Sequence, residues 1–488
     1  MISPRARNDA ALARHAWVRP AALVIAALFV FAAHFRPWEV AFLEEWPLAA
    51  DWTGNGGWAF APNYFEWTLS RPLHLIPSLL GLAITNGAPG GIFAVLGLVA
   101  AAQVPVVVWA LRPVSRSFWI SGAVALFLAL HPLWPGGFLQ RFLPAQTAVL
   151  ALAIALGLLI RWLQSGRVRW IIWACAVLLI GFLVYPGPAV AAPIMALVVA
   201  LVVKATWERR IWAVASVTAT SALMTLYSLV ISRLISPDGT SYETGNIEVA
   251  GVRSVRELVT YVESTLFSQG ELVLLGILAV AGLGAVLALT GAIPHPAGWL
   301  MTGVALLSPV TTIVYFGHTG WLSDINRLGY VISLALFVAL VVWPLTSTGH
   351  RVSFENVLAA LLVLLCVVGG VRGIQHWQPY IQTQHRLLEA LGPVVREAGD
   401  GEVVVVVDRS GTFGLEPSFP LQYLASASRV WNHDDTPVWL CFEEPSPVPG
   451  GAVLCDPDDT GTDLRLIATL TQPSGTVDIY IGRKDSND

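Results

Sequence analysis

The chain has 488 residues, 55% of them hydrophobic and only 12% charged, with a mean hydropathy of +0.66 and a net charge of −4. A soluble domain carries about a quarter charged residues, so this composition lacks the polar surface that water requires and describes an integral membrane protein. Disordered, collagen-like and nucleic-acid-binding classes are excluded by the balance of 28 Lys and Arg against 32 Asp and Glu with no basic tract, and four cysteines without ligand-like spacing exclude a disulfide scaffold or zinc module.

About 20 apolar residues cross the hydrocarbon core of a bilayer. In chain order, the runs that reach or approach this length are 18–35, 90–111, 117–131, 144–163, 168–184, 187–204, 210–234, 271–291, 297–317, 329–346 and 354–372, about 11 spans. No small-residue cleavage site follows the first run, which reads as an uncleaved span. The run Leu73–Thr85 is short and holds Pro77. Basic clusters resolve its status, because Lys and Arg gather on the cytoplasmic side. Arg5/Arg7/Arg14/Arg19, Arg112/Arg116, Arg161/Arg167/Arg169, Lys204/Arg209/Arg210 and His350/Arg351 share one face only if Leu73–Thr85 does not cross. The expected topology is a multi-pass protein of the cell (plasma) membrane with a cytoplasmic N-terminus, and 73–85 as a re-entrant or interfacial helix in the outer loop 36–89.

The longer connections then lie outside: 36–89, 132–143, 185–186, 235–270 and 318–328. The first holds the adjacent carboxylates Glu44 and Glu45, then Arg71-Pro72-Leu73-His74, and the aromatics Trp38, Trp46, Trp52, Trp58, Tyr64, Phe65 and Trp67. Paired acids at a span's end are costly beside lipid unless water, a cation or a substrate satisfies them. They fit a proton acceptor for a hydroxyl, or a ligand for a divalent ion such as Mg or Mn held against a phosphate; ordinary interfacial acids are the plain alternative. The aromatics fit a headgroup-level belt, and equally a surface that stacks on sugar rings. Arg141, after Leu130-His131-Pro132, and Arg327, within Asp324-Ile325-Asn326-Arg327-Leu328-Gly329-Tyr330, are cations on a face that otherwise avoids them. Arginine grips phosphate with paired donors, which suggests a lipid-phosphate site; headgroup snorkelling is the alternative. Residues 252, 255, 258, 259 and 262 repeat at helical spacing as an amphipathic surface helix.

The charge balance changes at Arg372-Gly373. Residues 373–488 carry 7 Lys and Arg against 17 Asp and Glu, which leaves 21 basic and 15 acidic residues in 1–372. The chain therefore divides into a membrane domain, 1–372, and an acidic domain, 373–488, expected outside. The pattern predicts a helix from Gln384 to Glu397, strands at 402–408, 437–442, 452–455 and 477–482, and a helix near 421–427, a small α/β domain. Cys441 and Cys455 both fall in it and could form a disulfide, while Cys175 and Cys366 lie within spans as apolar fillers.

The acidic pair past the first span, the loop ending in Arg71-Pro72-Leu73, the Leu130-His131-Pro132 turn and Asp324-Ile325-Asn326-Arg327-Leu328-Gly329-Tyr330 together resemble the GT-C superfamily of membrane glycosyltransferases. The likeness is greatest to its protein-O-mannosyltransferase-like branch and related bacterial envelope enzymes. It implies transfer of a sugar from a polyprenyl-phosphate donor to a glycan, glycolipid or protein acceptor, outside the membrane. Glu44 or Glu45 would match the acceptor-activating acid, and Arg327, with Arg71 and Arg141, the donor-phosphate contacts. Asp324, Tyr330, His131 and His74 are further candidates. The pair here is Glu-Glu where the family more often has an Asp. The competing readings are a transporter or flippase of lipid-linked saccharides, or a polymerase of them. No GxxxxGK[ST] or dinucleotide fingerprint is present.

Overall fold

The computed structural model describes residues 17–36, 41, 45–60, 68–235, 272–311, 325–349, 351–410, 421–442, 464–472 and 475–483. The described helices are α1 (Val18–His34), α2 (Glu45–Gly54), α3 (Ile76–Thr85), α4 (Gly90–Leu111), α5 (Phe118–Leu130), α6 (Leu143–Ser165), α7 (Val168–Val184), α8 (Pro188–Val202), α9 (Trp207–Ile235), α10 (Leu272–Leu289), α11 (His295–Leu306), α12 (Ile325–Thr346), α13 (Val352–Glu397) and α14 (Leu421–Asn432). Among the described residues six helical segments are long and apolar enough to cross a membrane: Gly90–Leu111, Gln140–Ser165, Trp207–Ser228, Leu272–Leu289, Gly329–Thr346 and Val352–Glu397. Shorter apolar helices accompany them.

The bundle wears its apolar residues outward. Leu28, Ile172, Trp173, Leu223, Leu275 and Leu364 are all exposed, while Gln103, Gln140, Gln146, His34 and His131 are buried. Water would not tolerate that arrangement over so large a surface, and a lipid phase would. The protein is membrane-embedded. The most enclosed element is α12, whose residues from Tyr330 to Trp343 are buried. Small residues let helices approach where no hydrophobic drive exists between them. A Cβ on Gly298 of α11 would stand 2.4 Å from the Ala288 Cβ and 2.7 Å from the Gly284 carbonyl oxygen of α10.

Helix ends follow local chemistry. Ser117 caps α5 by accepting from the Ile120 N–H at 3.3 Å. Gly166 ends α6 with φ +66°, a backbone state that glycine adopts without cost. Helix α3 is about 15 Å long at 1.5 Å per residue, half the hydrocarbon thickness. It turns back through Asn86 (φ +52°) and Gly87 (φ +97°) and packs on the first turns of α4, where a Cβ on Gly91 would collide with the Gly81 carbonyl oxygen at 2.0 Å. The segment 73–85 is thus a short helix folded onto its successor.

Two ends of the bundle are distinguished by their contacts. At one, Arg116 Nη1 donates to the Thr348 carbonyl (2.6 Å), Gln164 to Pro113 (3.3 Å), Arg209 to Leu163 and Gln164 (3.3 Å each), and the Thr348 N–H to Ala292 (3.0 Å). The described basic clusters therefore gather at this end. At the other, the Leu73 N–H donates to Leu183 (3.1 Å), Tyr227 Oη to the Leu69 carbonyl (2.8 Å), and Trp377 Nε1 to Pro135 (2.9 Å).

Helix α13 runs for 46 residues, about 69 Å, without a break at Arg372-Gly373, where the charge balance changes. Its last turns bury Leu387, Leu388, Leu391, Val394 and Val395 beside Val404, Val406, Leu424, Ala427, Ile479 and Ile481. The C-terminal sheet has strands β1 (Glu402–Asp408), β2 (Val438–Phe442), β3 (Arg465–Gln472) and β4 (Gly475–Arg483) in the order β2-β1-β4-β3. β1 and β2 are parallel, with α14 as the crossover that parallel pairing requires; β4 runs antiparallel to β1 and β3. β3 was not expected from the sequence, whose Thr and Gln residues soften its pattern. Residues 452–455 and 252–262 lie outside the described residues, as does Cys455; the side chain of Cys441 does too.

Candidate functional site

The described parts of the connections 36–89, 132–143 and 185–186 meet at the end of the bundle opposite the basic clusters. Their side chains form a continuous series of ring contacts. His74, from the first loop, lies 6.2 Å from Tyr185 between ring centroids, and its Nδ1 donates to the Val184 carbonyl at 3.0 Å. Tyr185 meets Tyr330 at 5.7 Å, Tyr330 meets Trp134 at 4.6 Å, and Trp134 meets His131 at 5.1 Å and Phe142 at 5.2 Å. His131 lies 6.3 Å from His34, which stacks on Phe138 at 4.6 Å. Such pairs favour tilted or edge-on approach because ring faces are negative and edges positive. The series joins residues from five separate stretches of the chain.

Glycine makes the crowding possible. A Cβ on Gly187 would lie 2.3 Å from Tyr330 Cε1 and 2.9 Å from Tyr185 Cε1, and one on Gly136 would lie 2.7 Å from Trp134 Nε1. His131 itself ends α5 with φ +45°, which turns the chain sharply toward Pro132 and Trp134.

Cations surround this aromatic floor. The Arg71 guanidinium carbon is 6.0 Å from the Tyr185 ring centroid, Arg141 is 5.5 Å from Phe142, and Arg36 is 5.8 Å from Phe93. Arg36 is buried and its Nη2 donates to the Phe138 carbonyl at 2.7 Å. Glu45 opens α2 and is 5% exposed. α2 packs against α3 and also against α14, so the first loop and the C-terminal domain touch; a Cβ on Gly54 would lie 2.7 Å from Arg429 Nη2.

Behind the rings is a buried polar relay. Gln103 Nε2 donates to Gln146 Oε1 at 2.8 Å, and Gln146 Nε2 donates to the Gly137 carbonyl at 3.2 Å and to His131 Nε2. His131 is therefore neutral with its proton on Nδ1, a tautomer assigned from the network. His34 Nδ1 donates to the Val30 carbonyl at 2.9 Å, which leaves its Nε2 as an acceptor. Among the described residues His34 Nε2, Trp134 Nε1 and Gln140 Oε1 are buried without a hydrogen-bond partner. Buried polar atoms in that state are costly, so a ligand or water at this end would find two acceptors and a donor ready.

The structure thus brings Arg71, His74, His131 and Tyr330 into one connected cluster, with Arg141 on its margin and Glu45 on the helix that caps the same end. Glu44 and Asp324 lie outside the described residues. Arg327 lies in the first turn of α12, one turn before Tyr330, and its side chain is outside the described residues. His34, Arg36, Trp134, Gln140, Gln146 and Tyr185 were not singled out from the sequence. The available signal was weak: after a run without polar side chains His34 ends α1 and Arg36 follows it, and Gln103 and Gln146 interrupt otherwise apolar runs. Among the described residues no three His, Cys, Asp or Glu side chains assemble as a metal-binding group. Comparison with family models, curated proteins and solved structures found no match.

Proposed function

We propose that this chain is a membrane glycosyltransferase of the GT-C type, with about 11 spans, a cytoplasmic N-terminus and the C-terminal α/β domain outside. It transfers a sugar from a polyprenyl-phosphate donor to an envelope glycan, lipid or protein. The observation that carries this reading is the convergence of Arg71, His74, His131, Tyr185 and Tyr330, from four separate stretches of the chain, at the end opposite the basic clusters.

Under this reading the sugar docks at the partly exposed margin of the ring cluster, at His74 and Arg71, and the isoprenoid lies along the lipid-facing helices. Arg71 and Arg141, with Arg327, hold the donor phosphate. The bond between the anomeric carbon and the phosphate oxygen breaks, and its electron pair leaves with the polyprenyl phosphate, whose developing charge the guanidinia stabilise. The acceptor oxygen bonds the anomeric carbon from the opposite face, and its proton passes to Glu44 or Glu45. Glu45 is buried at the start of α2, on the helix that caps this end. A divalent ion at the acidic pair would supply the phosphate with charge neutralisation.

The test is sugar transfer from a radiolabelled polyprenyl-phosphate donor in membranes containing wild type, Glu44→Gln, Glu45→Gln or the double variant. Loss of about 100-fold or more in one variant or in the double variant is expected for removal of a general base. Unchanged transfer in the double variant overturns the proposed base. Movement of intact donor across the membrane without transfer would replace the enzyme with a transporter.

A further inference from the structure

The opposite, basic end of the bundle holds a second feature that the transferase reading does not use. A cavity of about 230 Å³ lies between the start of α1, the turn before α5 and the α12–α13 connection, with Arg19, Arg116, Ser117, Trp119, Glu355 and Asn356 in its wall. Glu355 is 1% exposed. One carboxylate oxygen, Oε2, accepts from Ser347 Oγ at 2.6 Å and from Trp343 Nε1 at 3.2 Å. The other, Oε1, has no hydrogen-bond partner, and neither has the neighbouring Asn356 Oδ1. No ion pair joins Glu355 to Arg19 or Arg116 among the described residues, and Arg116 uses only its Nη1, on the Thr348 carbonyl, among the described contacts.

A buried carboxylate with an unused oxygen is expensive unless a donor reaches it. Two unpartnered acceptors on residues of the same cavity wall, Glu355 Oε1 and Asn356 Oδ1, ask for a group with several N–H donors, which an ammonium supplies. The two guanidinia on the same cavity ask for an anion, and phosphate suits them best. The size is below the roughly 300–1,000 Å³ of sites for drug-sized ligands, which favours a headgroup-sized occupant. The rim is apolar and outward: Trp119 is 49% exposed and Val352 is 51% exposed. Tryptophan at such a position sits at headgroup depth.

We propose that this cavity binds the headgroup of a zwitterionic phospholipid bearing a primary amine, a phosphatidylethanolamine. The ammonium sits on Glu355 and Asn356, the phosphate faces Arg19 and Arg116, and the acyl chains leave past Trp119 and Val352. The site is independent of the transferase reading, lies at the other end of the molecule, and under the proposed topology faces the cytoplasmic leaflet.

The experiment uses the full chain in nanodiscs of equal phosphatidylethanolamine and phosphatidylglycerol, followed by extraction in mild detergent and native mass spectrometry of retained lipid. Wild type should retain phosphatidylethanolamine over phosphatidylglycerol by about tenfold or more, the worth of one charge-assisted hydrogen bond. Glu355→Gln should abolish that preference, whereas Arg116→Gln should weaken retention of both lipids. Asn356→Leu reads the same amine contact should Glu355→Gln fail to fold. Equal retention of the two lipids by wild type, or an unchanged ratio in both the Glu355 and Asn356 variants, overturns the proposal. Soluble phosphoethanolamine added at millimolar concentration separates the sources: competition with retained lipid supports headgroup recognition, and binding of the soluble compound without lipid retention overturns the lipid assignment.

Discussion

Gln146 is the hub of the buried relay behind the aromatic floor, and its replacement by leucine gives the sharpest structural test. The amide is fully buried and makes side-chain hydrogen bonds to His131 Nε2, to the Gly137 carbonyl and from Gln103 Nε2. Leucine has similar volume, so the change removes three hydrogen bonds and strands their partners with little effect on packing. Buried hydrogen bonds contribute about 1 kcal/mol each in soluble proteins, and about 0.6 kcal/mol each between membrane helices. The expected loss is therefore about 2–3 kcal/mol. Reversible unfolding in mixed detergent micelles measures it. Gln103→Leu removes one of the three bonds and a further bond from Gln103 Nε2 to the Gln146 carbonyl at 3.3 Å, so it should cost about two thirds as much, and the two changes should be coupled, because the bond between the two side chains is lost in both. A loss below about 0.5 kcal/mol for Gln146→Leu, the range of ordinary surface substitutions, would refute the relay as a structural element.

Two further predictions concern crowding and acid. Gly187→Ala drives a methyl into the Tyr330 and Tyr185 rings and should destabilise by about 1–3 kcal/mol while lowering sugar transfer. Gly122→Ala, where nothing lies within 4 Å of the added Cβ, should instead stabilise by about 0.5–1 kcal/mol; melting temperatures of both variants check the pair. In the C-terminal domain, the Thr436 hydroxyl and N–H both donate to Asp434 Oδ1, at 2.6 and 2.8 Å, and hold its carboxyl below the usual aspartate range. A depressed folded value means stability fully present above the unfolded value and lost as pH falls through the folded value, so this contribution should begin to fall near pH 4 and decline further below it. Asp434→Asn should remove that part of the acid sensitivity of unfolding, read as a pH series from 6 down to 3.

Under the proposed function, a stability defect and an activity defect at the aromatic floor will often coincide. The buried rings behind the proposed sugar site are the ones that lock α5, α6, α7 and α12 together at one end. Tyr330 is 1% exposed, and Trp134 is fully buried. Variants at His74 and Arg71, which sit on the partly exposed margin, separate the two effects better than variants at Tyr330 or Trp134.

Helix positions were legible from the chain because lipid imposes a one-dimensional rule: twenty apolar residues, ended by charge, Pro or Gly. The runs 90–111 and 168–184 coincide with α4 and α7, and the short helix at 76–85 was marked by its length and Pro77. The strand at 402–408 was equally plain, since five consecutive valines are buried on both faces. Assembly was decided elsewhere. That α13 continues through the charge boundary, that β4 inserts between β1 and β3, and that Tyr185 and Gln146 join His131 and Tyr330 all depend on contacts between residues far apart in sequence. Hydropathy reports where a residue sits relative to lipid and not which neighbour it meets. Clearance between helices, set by Gly187 and Gly136, chose those neighbours.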